Sequence, residues 1–173
     1  IGVFAIQYAV QLGCRVATTA GTPEKLAFCR ELGAEIALDY HDDWASQLKE
    51  ATLGRGVDVI LDIMGAKYLE PNVASLALDG RMVTIGLQGG AKGTLNLGLL
   101  LSRRGTVTAT SLRFRSLAQK AQICERVATL VWPMIEAGTL KPAPIKTFPL
   151  SDAAAAHEWL DSGANVGKIV LVA

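Results

Sequence analysis

Short apolar strand-like runs alternate with helical patterns along the whole chain, and this alternation limits the possible folds more than any other feature. Residues 3–12 are apolar at helical spacing, with Ala5 and Ala9 small on one side and Gly13 as the stop. Residues 15–19 read as a short strand. Thr22, Pro23 and Glu24 are a strong helix start: an N-cap, a proline at the first helical position and an acid in the first turn. That helix ends at Gly33. Residues 35–38 form a second strand, Asp42 or Asp43 opens a helix toward Thr52, and residues 57–61 form a third strand. Residues 66–78 are expected to be mostly helical and to straddle Pro71. A fourth strand, 81–85, leads into the flexible loop 86–90. A short helix over 97–102 and a fifth strand over 106–110 follow. A long amphipathic helix is expected over 117–137, closed by Gly138, then a strand at 145–148, a helix capped by Ser151 and a last strand at 168–172. Near-continuous apolar strands between helices predict a parallel sheet covered on both faces, an α/β doubly wound arrangement.

The balance of charge removes several function classes. Seventeen basic and sixteen acidic residues leave a net charge of +1, which recommends neither nucleic acid nor an anionic membrane as a partner. No apolar run reaches the roughly 18 residues that span a bilayer. Cys14, Cys29 and Cys124 are far apart and odd in number, so they make neither a disulfide framework nor a CxxC metal pair. They are expected to be reduced, cytosolic thiols filling helix faces, with Cys29 as a reactive thiol the alternative. His41 and His157 stand in no metal-ligand spacing, so no metal site is expected. His157 is read as structural, and His41 either as a loop residue or as one reaching an adenine. Asp58 and Asp62 flank the third strand at an even spacing that puts both on one face. A general acid–base pair is one reading of them and solvated strand ends the other. Trp44, Trp132 and Trp159 lie on predicted helices as packing residues. Arg103, Arg104, Arg113 and Arg115 make a solvated basic edge, with Arg113 the candidate to face a phosphate.

Two places point to a nucleotide. Ile1 and Gly2 precede the first helix inside a βαβ rhythm, where backbone N–H groups of a helix N-terminus face a pyrophosphate. Gly2 would be the last glycine of the phosphate-binding turn, where a side chain would push helix and strand apart. The stronger signal comes after the next strand, which ends Thr18-Thr19-Ala20-Gly21. An NAD-type site places a carboxylate at such a tip for the ribose 2′-hydroxyl. Here the tip carries none; Gly21 leaves space, Thr22 caps the next helix and Lys25 follows one turn later. An open tip, a helix N-terminus and an ammonium group suit a 2′-phosphate, and Tyr40 can add a hydroxyl. The pattern favours NADPH over NADH. The competing reading makes Lys25 a solvated helix residue and Tyr40 a loop aromatic.

The stretches IGVFAIQYAVQLGCRV, TTAGTPEKLAFCRELGAE, GVDVILDIMG, GRMVTIGLQGG, IKTFPLSDAAAAHEWL and NVGKIVLV together resemble the quinone oxidoreductase (zeta-crystallin-like) family of zinc-free medium-chain dehydrogenases/reductases. The resemblance implies a Rossmann-type domain over residues 1–138 and a segment, 139–173, that returns to a GroES-like catalytic domain. It implies that Ile1 and Gly2 end the glycine-rich turn, and that Gly21, Thr22, Lys25 and Tyr40 form a 2′-phosphate pocket. Ile63 is implied beside ribose and adenine, Ile85, Gly86 and Leu87 under the nicotinamide, Leu112 and Arg113 on a segment approaching the nicotinamide end, and Asn165 near the amide. These are binding positions, and no residue is singled out as catalytic. The implied activity is NADPH-dependent hydride transfer to a quinone or an α,β-unsaturated carbonyl, in a cytoplasmic protein that is a homodimer when intact, with residues 106–111 as the pairing edge. An enoyl reductase module of a larger synthase and a non-catalytic NADPH-binding protein are the alternatives. The family's GroES-like domain and first Rossmann strand have no counterpart in these residues. The chain is therefore expected to be a fragment, inactive by itself. In the order 3-2-1-4-5-6 the missing strand is central, so strands 15–19 and 57–61 would stand about 10 Å apart without it.

Overall fold

A computed structural model describes all residues, 1–173, as helices and strands in alternation. The chain forms two compact units. One consists of Ile1–Ala37 and Arg126–Ala173, the other of Leu38–Glu125. No helix is long and apolar enough to cross a membrane.

In the first unit, helix α1 (Gly2–Gln11) buries Ile6 and Gln7. Gln7 is polar, and backbone partners compensate its burial. Its Nε2 donates to Lys141 O at 3.0 Å, and its Oε1 accepts from Lys141 N at 2.8 Å. The amide thus imitates a strand neighbour and fastens segment 139–144 to α1. Strand β1 (Ala17–Ala20) leads to α2 (Pro23–Glu31), whose N-cap is the expected Thr22, accepting from Lys25 N at 3.2 Å. Gly33 follows at φ +101°; a Cβ there would come within 3.0 Å of a Val10 methyl, so α2 ends hard against α1. Strand β2 (Ile36–Asp39) begins in this unit, with Ile36 N donating to Val16 O.

Its carboxyl-terminal part carries a second βαβ unit. Strands β6 (Ile145–Pro149) and β7 (Lys168–Val172) are parallel, joined through a 3-10 turn (Leu150–Asp152) and helix α8 (Ala153–Asp161). Ser151 does not cap α8; its hydroxyl donates to Asp152, which occupies the N-cap position. The 3-10 turn displaces the helix start by one residue.

The second unit is built on the three-stranded parallel sheet β3 (Val57–Asp62), β4 (Leu76–Thr84) and β5 (Thr106–Ala109), with β4 in the middle. Helix α3 (Trp44–Ala51) precedes β3, α4 (Leu69–Ser75) lies between β3 and β4, and α5 (Leu97–Ser102) between β4 and β5. Asp43 and Asn96 cap α3 and α5 through Ser46 N and Leu99 N. Val73, Leu76 and Met82 are its most deeply buried apolar side chains. The sheets are separate: β1 pairs only with β2, and β3 only with β4, so each keeps one free edge.

Three expected elements differ. The helix over 66–78 is shorter, a 3-10 turn (Gly65–Tyr68) and then α4, because Leu76 already enters β4 in an extended conformation. The register breaks between Val57 and Val59, and the extra residues of β4 bulge past Gly56. The long helix over 117–137 is two helices, α6 (Leu117–Leu130) and α7 (Trp132–Glu136). Pro133 cannot donate to the carbonyl four residues back and its ring collides there, so the helix breaks at Val131 and restarts. The cysteines fill no helix faces as a group. Cys14 and Cys124 are exposed, and only Cys29 is partly covered, where burial raises its thiol pKa.

Exposed ion pairs trim the surface: Arg15–Glu35, Arg55–Asp58 and Arg104–Asp79. Each guanidinium hydrogen-bonds its carboxylate and holds it below its ordinary pKa of 4.5 for Glu35 or 3.8 for Asp58 and Asp79. A depressed folded-state pKa stabilises above the unfolded value and is lost as pH falls through the folded one. Stability should therefore be level from neutrality to about pH 5 and decline below about pH 4. Thermal melts across that range check this; a decline beginning above pH 6 would refute it.

Candidate functional site

In the first unit, the N–H of Ala5 is the first of α1 to find a helical acceptor, Ile1 O at 3.0 Å, which leaves the first-turn N–H groups after Ile1 directed outward. A Cβ on Gly2 would meet nothing within 4 Å among these residues. Gly21 and Thr22 stand at the carboxyl end of β1 and the start of α2. Lys25 projects from the first turn of α2, and its Nζ donates to Gly163 O. Gly163 lies in the turn after α8 at φ +71°. The same turn carries Asn165, whose Nδ2 donates to Gly167 O at 3.1 Å. Lys25 and the turn holding Asn165 are thus brought together. The adjacent Glu24 has its carboxylate held below its ordinary value by its own backbone N–H and the Thr22 hydroxyl. Lys25 has three N–H donors and one is used. A helix start, a hydroxyl and an ammonium group at a strand tip make a donor set that fits a phosphate.

In the second unit, the remaining positions follow the carboxyl ends of the strands. Tyr40 and His41 come after β2, with ring centroids 4.6 Å apart; Tyr40 is exposed, and His41 Nδ1 lies 2.7 Å from Asp39 Oδ1. Tyr40 belongs to the second unit, whereas Gly21, Thr22 and Lys25 belong to the first. Ile63 follows β3, Ile85, Gly86 and Leu87 follow β4, and Leu112 and Arg113 follow β5. Open α/β sheets bind ligands at this end of parallel strands. Ile85 and Leu112 line one groove with Thr110, Ser111, Arg115 and Ile123. Arg115 Nη2 donates to Thr110 Oγ1 at 2.7 Å, and Lys120 Nζ donates to the Arg113 carbonyl at 3.2 Å.

The loops after β3 and β4 are fastened to one another. Ile85 N donates to Asp62 O at 2.7 Å, Gln88 N to Ile63 O at 3.1 Å and Gly89 N to Met64 O at 2.7 Å. In return Ala66 N donates to Gly90 O at 2.9 Å. Gly86 fits because a Cβ would stand 2.9 Å from Ile63 O. Asp58 and Asp62 do not form a pair: Asp58 is exposed with Arg55, while Asp62 is buried, 4% exposed. Asp58 stands at the start of β3 where the pairing with β4 is interrupted, whereas Asp62 stands at its end, paired with Thr84 and covered. Asp62 is the residue whose importance the strand pattern concealed. The spacing Asp62–Gly65 was the available signal, since an aspartate caps its own turn by accepting from N–H groups two and three residues on.

Comparison with known proteins follows the same lines. The family described as zinc-binding dehydrogenase matches residues 1–126. Quinone oxidoreductase from Pseudomonas aeruginosa is 31% identical over 99% of this chain and 53% of its own length. A phenolphthiocerol/phthiocerol polyketide synthase from Mycobacterium tuberculosis is 30% identical over 99% of this chain and 8% of its own length. The crystal structure of Escherichia coli quinone oxidoreductase complexed with NADPH superposes with a TM-score of 0.84 at 30% identity, covering 99% of this chain and 53% of that one. The chain spans about half the length of the quinone oxidoreductases it matches. On that match across residues 1–126 and the parallel α/β fold, the chain belongs to the zinc-binding dehydrogenase family of medium-chain dehydrogenases/reductases, with quinone oxidoreductases among its relatives.

Proposed function

We propose that the chain binds NADPH and supplies the cofactor-binding part of a reductase acting on a quinone or an α,β-unsaturated carbonyl. The observation that carries the reading is the β1 tip, where Gly21 has no side chain, Thr22 caps α2 and Lys25 stands in its first turn. The bond from Lys25 to Gly163 O directs the ammonium group and leaves two donors for a phosphate. The α1 N-terminus suits the pyrophosphate, and Ile85, Gly86 and Leu87 suit the nicotinamide, on a loop that Gly86 lets pack against Ile63. When bound, the nicotinamide supplies the hydride chemistry. The chain's own residues hold and orient it and keep water from its apolar flank. That Escherichia coli quinone oxidoreductase has been solved with NADPH supports the reading. An enoyl reductase role within a larger synthase is the second reading, favoured by the polyketide synthase relative. The whole protein is proposed to pair as a homodimer along β5, which is an edge strand.

The test is a titration of the 173-residue chain with NADPH and NADH, followed by energy transfer from tryptophan. NADPH should bind about tenfold more tightly, a difference of about 1.4 kcal/mol, and Lys25→Ala should remove the preference. Equal affinity for both, a preference that survives Lys25→Ala, or no binding of either would overturn the proposal.

A further inference from the structure

Asp62 is a buried carboxylate to which the proposed function gives no chemical task, yet four donors converge on it. Oδ1 accepts from Met64 N at 3.1 Å and from Asn72 Nδ2 at 3.3 Å. Oδ2 accepts from Gly65 N at 2.9 Å and from Thr84 Oγ1 at 3.2 Å. The donors come from the turn after β3, from α4 and from the end of β4. We infer that Asp62 is a positioning residue: its carboxylate locks loops 63–66 and 85–90 into one rigid platform for the nicotinamide and its ribose.

The inference rests on the NADPH reading for what the platform faces, and on geometry for the locking. The backbone bonds between the loops need residues 63–65 in a single conformation, with Gly65 at φ +72°. The carboxylate selects that conformation by accepting the Met64 and Gly65 N–H groups, which otherwise lack an acceptor. Asn72 and Thr84 keep the carboxylate from rotating away. The loops have no slack. A Cβ on Gly65 would stand 2.7 Å from Gly90 O and one on Gly86 2.9 Å from Ile63 O, so any shift of 63–65 is passed to 86–90. Asparagine has nearly the same shape but only one acceptor oxygen. Its NH2 group would face two of the four donors, and at least one buried N–H would be left unpaired.

The test combines amide hydrogen exchange with the nucleotide titration on the 173-residue chain. In Asp62→Asn, the amides of Gly65, Gln88 and Gly89 should exchange about tenfold faster, while Met82 and Val107, in β4 and β5, keep their wild-type rates. NADPH affinity should fall about tenfold with the NADPH-to-NADH ratio unchanged, because the Lys25 end is untouched. Thr84→Val, which removes one donor and leaves the Met64 and Gly65 bonds, should shift the same amides less; it carries the test if Asp62→Asn does not fold. Wild-type exchange at Gln88 and Gly89 would overturn the inference. So would an equal acceleration at Met82, which marks a role in overall stability alone. If the wild-type chain binds neither nucleotide, the NADPH reading falls, and exchange at Gln88 and Gly89 still decides whether Asp62 holds the platform.

Discussion

Gly167→Ala should release the β6–β7 pair from the first unit's fold. Gly167 sits immediately before β7 at φ +89°, a conformation that costs an L-residue roughly 1–2 kcal/mol. A Cβ there would come within 2.1 Å of Pro144 O, a backbone atom on the segment entering β6, with no flexible side chain to give way. The adjoining bond from Lys168 N to Pro144 O, 2.8 Å, starts the parallel ladder that runs from Ile145–Lys168 to Pro149–Val172. Strain and overlap together should destabilise by on the order of 4 kcal/mol, at the upper end for single substitutions. Hydrogen exchange read strand by strand is the measurement. Protection at Lys168 and Val170 should vanish while β3, β4 and β5 keep theirs. A variant that protects Lys168 as well as the wild type does would show that the close approach to Pro144 is not made.

The second large effect lies in the other unit. Leu76 is 0% exposed at the point where α4 passes directly into β4, and Val73 and Met82 complete the same core. Leu76→Ala removes buried methyl groups and leaves a cavity that the flanking backbone cannot close. Gly56, whose Cβ position is 2.5 Å from Ser75 O, already holds that backbone in place. Burial of this kind is worth about 2–5 kcal/mol per leucine truncated. The denaturant midpoint should drop accordingly with an unchanged slope. Leu78 is the internal control: two residues on, it is 55% exposed, and Leu78→Ala should change stability by less than about 0.5 kcal/mol. Equal effects at the two positions would contradict the burial of Leu76.

Helix punctuation was legible from residues alone because it is local chemistry. Thr22, Asp43 and Gly13 act within three or four residues of themselves, and the helices start or stop where those residues stand. Helix α5 and strand β7 have the bounds that their apolar pattern indicates. The break at Val131 was equally local, since Pro133 announces it; the amphipathic pattern ran through the proline and masked it. The early start of β4 was not legible. Leu76 and Leu78 suit a helix as well as a strand, and only pairing with β3 across a bulge decides between them.

The candidate site divides in the same way. That the β1 tip lacks a carboxylate and is followed by Thr22 and Lys25 is a property of the sequence, because charge and capping are written in residue types. That Lys25 reaches Gly163, 138 residues later, is not, since a loop after α8 must first be folded back to it. Asp62 is the clearest case. Composition marks it as one more aspartate at a strand end, but its role depends on Asn72 and Thr84 arriving from α4 and β4 at distances of 3.3 and 3.2 Å. The sequence by itself determined the α/β alternation, the caps and the cationic strand tip, all of which depend on neighbours a few residues away. Tertiary structure decided which polar groups were buried, and burial turned an ordinary carboxylate into the joint between two loops, because a buried acceptor must satisfy every donor that packing brings to it.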